Sequence, residues 1–315
     1  MASVLTFGET MGLVRGNELG GWETLSRATV GIGGADSNVA IGLSRLGVSC
    51  TWVGRVGDDA LGRRVEREIR AEGVRTRAIV DSTRPTGLML KERRTPLHSR
   101  VSFYRAGSAG SALAPNDVQD EDVAAASLVL VNGVTASLSE SARDTALSVV
   151  DRARRLGVPV AFDVNHRPSL WRDADPRPLY REIARSSDIV FAGDDEARLL
   201  LDSTEESPVA LAAALAALGP RQAIVKSGAA GAVAVEDSVV VSAPAVRIDP
   251  VDTVGAGDAF VAGFLAGLLD GADPTGRLNL AVRCGAFACL GPGDWESAPR
   301  RADLALFDAA DPVQR

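Results

Sequence analysis

The sequence predicts an α/β protein built on a mainly parallel, doubly wound sheet, and three observations point that way. Short apolar runs recur along the chain, at Val4 to Phe7, Val129-Leu130-Val131, Val158 to Phe162, Asp188 to Phe191 and Ala223-Ile224-Val225. Helical stretches separate them, among them Ser139 to Leu156 and Pro208 to Leu218. Strands that alternate with helices pair in parallel and carry helices on both faces. The chemically distinctive residues follow strands, and ligands of such sheets sit beyond the strands' carboxyl ends.

The 315 residues suit one large α/β domain with a small appendage. A chain that is 46% hydrophobic but only 4% aromatic builds its core from Ala, Val and Leu, which excludes a disordered or fibrous protein. A net charge of −7 excludes a general nucleic-acid or anionic-membrane surface, so any phosphate ligand must be held locally. The start, Met1 to Phe7, lacks a basic leader, and no apolar run reaches the ~18 residues of a membrane span; a cytoplasmic protein is expected. Cys50, Cys284 and Cys289 are odd in number and lack metal-ligand spacing, which predicts buried free thiols.

Taken in order, the first strand ends at Gly8-Glu9. Thr10 to Val30 and Thr86 to Tyr104 have strand-like composition with little helix signal, so they are expected to pair as a small sheet over the ligand cleft, a lid; two plain surface hairpins are the alternative. Between them, Gly31 to Ala40 opens a helix whose Val39, Leu43 and Leu46 share one face, with Gly47 as its stop. The Ala-rich segment Val209 to Leu218 is a helix of high propensity.

The most informative stretch is Asp252-Thr253-Val254-Gly255-Ala256-Gly257-Asp258 ahead of the apolar run Ala259 to Leu269. Small residues before a helix leave its first N–H groups open to an anion, and the helix dipole adds partial positive charge. A carboxylate beside an anion site repels the anion, so Asp258 reads either as a base taking a proton from an attacking hydroxyl or as an ordinary N-cap. A P-loop kinase is excluded, because neither Lys91 nor Lys226, the two lysines, has the Gly-x-x-x-x-Gly-Lys context. A dinucleotide fold is disfavoured by Phe260, which stands where a third small residue belongs.

Two signatures in order, Gly31-Ile32-Gly33-Gly34-Ala35-Asp36-Ser37-Asn38 with Gly54 to Gly62, and then Asp252 to Asp258, resemble those of the ribokinase-like (PfkB) carbohydrate kinases. Arg100 to Arg105 leading into Gly107 to Leu113, Phe162 to Arg167 with Leu170-Trp171, and Gly293-Asp294 bring the resemblance closest to 2-keto-3-deoxygluconate kinases. It implies a ribokinase-like three-layer α/β/α domain over residues 1–315, with lid segments at about 10–30 and 86–104.

The activity implied is ATP-dependent phosphorylation of the terminal hydroxyl of a 2-keto-3-deoxy sugar acid. Fructokinase or another PfkB sugar kinase is the alternative, and a non-catalytic sugar- or nucleotide-binding regulator is the alternative of another class. Asp258 would be the base and Gly255, Ala256 and Gly257 the anion hole. Gly34, Ala35, Asp36, Asn38, Met89, Tyr104, Arg105, Arg167 and Asp294 would meet the sugar. Asn165, Arg167, Lys226, Gly228 and Gly231, with Gly255 and Gly257, would meet ATP, and Glu196 would reach Mg²⁺ through water.

A monovalent cation such as K⁺ near Asp252 and a homo-oligomer complete the expectation. Arg105 is the side chain shaped to meet a carboxylate. Three departures stand out: Met89 where related kinases offer a tyrosine, Gly193 where they carry an asparagine, and His166 in place of a frequent tyrosine and with no expected proton-transfer role.

Overall fold

The computed structural model describes residues 2–95, 98–171 and 174–309, so positions 96–97 of the expected lid lie outside the described residues. Strands are numbered along the chain: β1 (Ser3–Phe7), β2 (Met11–Leu19), β3 (Ala28–Gly33), β4 (Ser49–Gly57), β5 (Arg75–Asp81), β6 (Leu88–Thr95) and β7 (His98–Tyr104). They continue as β8 (Leu128–Asn132), β9 (Val160–Asp163), β10 (Ile189–Gly193), β11 (Gln222–Lys226), β12 (Ala232–Glu236) and β13 (Val239–Ala243).

A nine-stranded sheet runs in the order β13-β12-β11-β10-β9-β8-β1-β4-β5. Its strands are parallel from β5 to β11, while β12 and β13 close one edge as an antiparallel hairpin.

Side chains along a strand point alternately to the two faces, and the two cores follow that period. Leu128 and Leu130 of β8 join Val39, Leu43, Val65, Phe264 and Leu278 on one face. Val129 and Val131 join Val149, Ile183, Leu200 and Leu211 on the other. Helices Ala35–Arg45, Ala60–Ala71, Ala256–Leu269 and Pro274–Ala288 therefore cover the first face, and Glu140–Leu156, Arg177–Arg185, Asp194–Leu201 and Pro208–Ala216 the second. This is the α/β/α layering expected.

Helix boundaries follow their caps. The Ser139 hydroxyl accepts the Ala142 N–H at 3.0 Å, and Ser207 accepts that of Ala210 at 3.3 Å, so both serines stand just outside the helices. Val39, Leu43 and Leu46 are buried on one face as expected, and Gly47, at φ +87°, ends their helix. The three cysteines are buried and free.

The second sheet has four strands in the order β3-β2-β6-β7. Its β2–β6 pair is parallel and its outer pairs antiparallel, so two distant hairpins join into one sheet rather than standing apart. Met11, Leu13 and Met89 make its small apolar cluster, packed by Val101. Among the described residues no helix is long and apolar enough to cross a membrane.

Candidate active site

The carboxyl ends of β1, β9 and β11 and the N-termini of helices Ala35–Arg45 and Ala256–Leu269 meet in a cleft of about 1020 Å³. The small sheet supplies one wall through Met11, Met89, Val101 and Phe103. Gly255 starts the second helix at φ +78°, and a Cβ there would lie 1.8 Å from the Asp294 carbonyl oxygen, so only glycine fits. That turn leaves the N–H groups of Gly255 and Gly257 without an acceptor among the described residues, aimed where an anion would sit. The N–H of Ala256 instead donates to the Thr253 carbonyl at 3.3 Å, closing the turn. The expected third amide of the anion hole is thus used by the loop itself.

Asp258 sits in the first turn of the helix, 8% exposed. The Asn38 side-chain amide donates to Oδ2 at 2.8 Å and the Asn165 amide approaches Oδ1 at 3.5 Å. Asn165 reaches it from a left-handed backbone, φ +36°, which asparagine tolerates better than most side chains. Burial pushes the Asp258 carboxyl up to about 6, against the Asn38 hydrogen bond and with help from the nearby Asp163 charge. A carboxylate of that strength is ionised near neutrality yet basic enough to take a proton.

The other carboxylates of the cleft are paired with cations. Asp163 accepts from Lys226 Nζ at 2.8 Å. Glu9 accepts from Arg105 Nε at 2.7 Å and from the Ser108 hydroxyl. Asp294 lies 3.7 Å from the Lys91 ammonium, and burial pushes its carboxyl up to about 7 against the pull of that lysine. Asp258 alone of these is oriented by neutral amides, which fix its direction without a full counter-charge.

The profile of the pfkB family carbohydrate kinases matches residues 1–301. This chain belongs to that family. The kinase is 34% identical over 310 residues to the 2-dehydro-3-deoxygluconokinase of Bacillus subtilis, covering 97% of this chain and 95% of that one. It superposes on a PfkB protein from Polaromonas sp. JS666 with a TM-score of 0.87 at 31% identity, over 96% of this chain and 99% of that one. A candidate ribokinase II from E. coli, solved with ATP and Mg²⁺, shares the fold at a TM-score of 0.90 and 23% identity, covering 98% and 99%.

The fold brings Gly34, Ala35, Asn38, Met89, Arg105, Asn165, Arg167, Lys226, Gly255, Gly257, Asp258 and Asp294 of the kinase onto one cleft. It leaves others outside. Asp36 is buried beneath the helix N-terminus, where the Thr135 hydroxyl donates to it at 2.7 Å and burial pushes it up to about 8. Its place is structural.

Tyr104 is 61% exposed, because strand alternation puts Val101 and Phe103 of β7 on the cleft wall and Tyr104 on the opposite face. Phe103, paired with Met89 across β6 and β7, takes the position assigned to it. Gly228 and Gly231 shape the turn after β11 and do not line the cleft. Glu196 accepts the N–H groups of Gly193 and His166 at 2.7 and 2.8 Å, capping its own helix. His166 packs edge-on against Tyr180 and hydrogen-bonds its hydroxyl at 3.1 Å, a structural role.

Sequence reading missed Glu9, Asp163 and Phe103. Asp163 ends β9 and Glu9 lies two residues past the end of β1, the position from which such folds reach their ligands.

Proposed function

We propose that this kinase transfers the terminal phosphoryl group of ATP to the terminal hydroxyl of a 2-keto-3-deoxy sugar acid, giving the 6-phosphate when the sugar is 2-keto-3-deoxygluconate. The observation that carries the reading is Asp258, held by amides beside the open N–H groups of Gly255 and Gly257 in the cleft that Arg105 and Arg167 also line. The relatives named for this activity and covering nearly the whole chain support the choice of sugar.

Asp258 removes the hydroxyl proton as the bond to phosphorus forms, and the two amides stabilise the charge on the transferred group. The cost of desolvating Asp258 is offset by the higher proton affinity it gives the base.

Arg105 binds the sugar carboxylate with the part of its guanidinium that Glu9 leaves free, and Glu9 holds that fork in place. Met89 and Phe103 present an apolar wall to the sugar chain. Lys226 and Arg167 face the phosphate side. Mg²⁺ suits the position of Asp163, whose Oδ2 is buried without a hydrogen-bond partner, and Glu196 reaches it through water. When bound, the ion neutralises charge on the phosphate oxygens. Among the described residues no group of three or more His, Cys, Asp or Glu side chains is placed to hold a metal ion.

The small sheet acts as the lid, closing over bound sugar to exclude water. A cytoplasmic site, where ATP is available, and a homo-oligomer belong to the same proposal. The exposed Leu19, Val30 and Tyr104 side chains of the small sheet support self-association, which sedimentation would detect.

A substrate panel tests the reading. ADP release with 2-keto-3-deoxygluconate, its galactonate epimer and fructose should be fastest for a sugar acid. A higher kcat/KM for fructose would replace the proposal with a fructokinase, and no ADP with any sugar would leave a binding protein.

A further inference from the structure

The resemblance led to a monovalent cation near Asp252, and the structure places a different cation there. Lys91, in the middle of β6, is 1% exposed. Its ammonium lies 2.6 Å from Asp252 Oδ2, 3.7 Å from Asp294 Oδ1 and 3.5 Å from the Gly293 carbonyl.

Asp252 opens the anion-hole loop: its Oδ1 accepts the Val254 N–H at 3.2 Å, and its Oδ2 the Gly293 N–H at 3.5 Å. The carbonyl of Asp294 in turn faces Gly255. One ammonium thus ties together the two segments that fix the direction of the open amides.

A metal ion does not fit this donor set. The Asp252 oxygen that would ligate it is already engaged by a unit positive charge, and a second cation beside it would be repelled in a site closed to water. A buried lysine is retained only where its partners repay its desolvation, and here a carboxylate, a second carboxylate and a carbonyl do so.

We propose that the Lys91 ammonium is the resident cation of the anion-hole loop, so that the kinase needs no K⁺, and that Lys91 is a positioning residue for the Gly255 and Gly257 amides. Lys91 belongs to the same strand as Met89, two residues along and therefore on the same face, and Met89 lines the sugar side of the cleft. Seating the small sheet on a sugar and seating the cation on the loop become one movement. The proposal rests on the kinase reading for its rate assay only, since its melting-temperature arm needs no turnover.

The test begins with the unaltered kinase and whichever panel sugar turns over, at fixed ionic strength, with K⁺ exchanged for tetramethylammonium. Expected is a change in kcat below about twofold, under ~0.5 kcal/mol in activation free energy. Activation of about fivefold or more would overturn the proposal. Lys91→Ala should lower kcat by roughly tenfold or more with little change in sugar KM, and K⁺ should restore part of the loss and raise the variant's Tm while leaving that of the unaltered kinase unmoved. Lys91→Arg, which keeps the charge, should retain most of the activity.

If Lys91→Ala keeps full kcat without added cation, the loop needs no cation and the proposal fails. If it does not fold, the exchange experiment still decides the matter, because K⁺ activation of the unaltered kinase would refute a resident ammonium.

Discussion

Replacing Asp258 with asparagine should make the kinase nearly inactive and more stable at once. An acid whose folded pKa lies above its unfolded value binds its proton more tightly when folded. The native state therefore loses stability as pH rises from 3.8 to about 6, and the loss is complete above the upper value. At about 1.4 kcal/mol per pH unit the gap corresponds to about 3 kcal/mol at neutral pH.

Asparagine keeps the size and removes the charge. Its carbonyl can accept from Asn38, but its NH₂ then faces the Asn165 amide, donor against donor, which costs about 1 kcal/mol. The net gain of roughly 1–2 kcal/mol should appear as a melting temperature a few degrees higher at pH 8, and the gain should vanish near pH 4.

Activity moves the other way. Losing the base lowers kcat by roughly 10²–10⁴ with ATP affinity largely kept. In the unaltered kinase kcat/KM should fall about tenfold per pH unit below about 6, a limb that the variant lacks. Coupled-enzyme turnover and thermal melts at pH 4, 6 and 8 measure both arms. Near-normal turnover, or a variant less stable at pH 8, would refute the argument that an uncompensated buried carboxylate is the base.

The remaining predictions follow from the same cleft. Arg105→Lys keeps a cation for Glu9 but loses the fork, so kcat/KM for the sugar acid should fall about tenfold or more while a neutral sugar is affected less; equal losses would show that Arg105 does not read the carboxylate. Gly255→Ala places a methyl against the Asp294 carbonyl and a β-carbon in left-handed backbone, an arrangement costing about 1–2 kcal/mol before the clash. Its displaced amide should cut kcat about 100-fold with sugar KM nearly unchanged. Hydrogen exchange in β2, β3, β6 and β7 should slow by roughly tenfold or more on adding saturating sugar, with β8 and β9 unchanged and ATP alone much less effective. Turnover without such protection would remove the lid.

How much of this was legible in the sequence depends on how far apart in the chain the interacting groups lie. Contiguous signals could be read: the apolar strands, the starts of the helices at Ser139 and Pro208, and the glycines ahead of Asp258, whose spacing is itself the anion site. The face of a strand is not fixed by composition, so no local pattern shows that Phe103, and not the Tyr104 that the resemblance implied, lines the cleft. A one-residue error on a strand turns the side chain to the other side of the sheet. That the segments at 10–30 and 86–104 pair as one small sheet was expected from their composition, but the parallel pairing of β2 with β6 depends on contacts that no local pattern encodes.

The charge pairs lay furthest beyond sequence reading, and they decide which acid does the chemistry. Asn38 meets Asp258 across 220 residues, Arg105 meets Glu9 across 96, and Lys226 meets Asp163 across 63. From the sequence alone, Asp258 is the candidate base by its place after the glycines, with an ordinary N-cap as the alternative, and its partners are not visible. Once folded, Glu9, Asp163, Asp252 and Asp294 each have an ammonium or guanidinium within 4 Å. Asp258 has two amides, which orient it while leaving burial free to raise its pKa. The base is marked here by amide contacts from Asn38 and Asn165 beside the open N–H groups of Gly255 and Gly257, an arrangement that belongs to the assembled cleft.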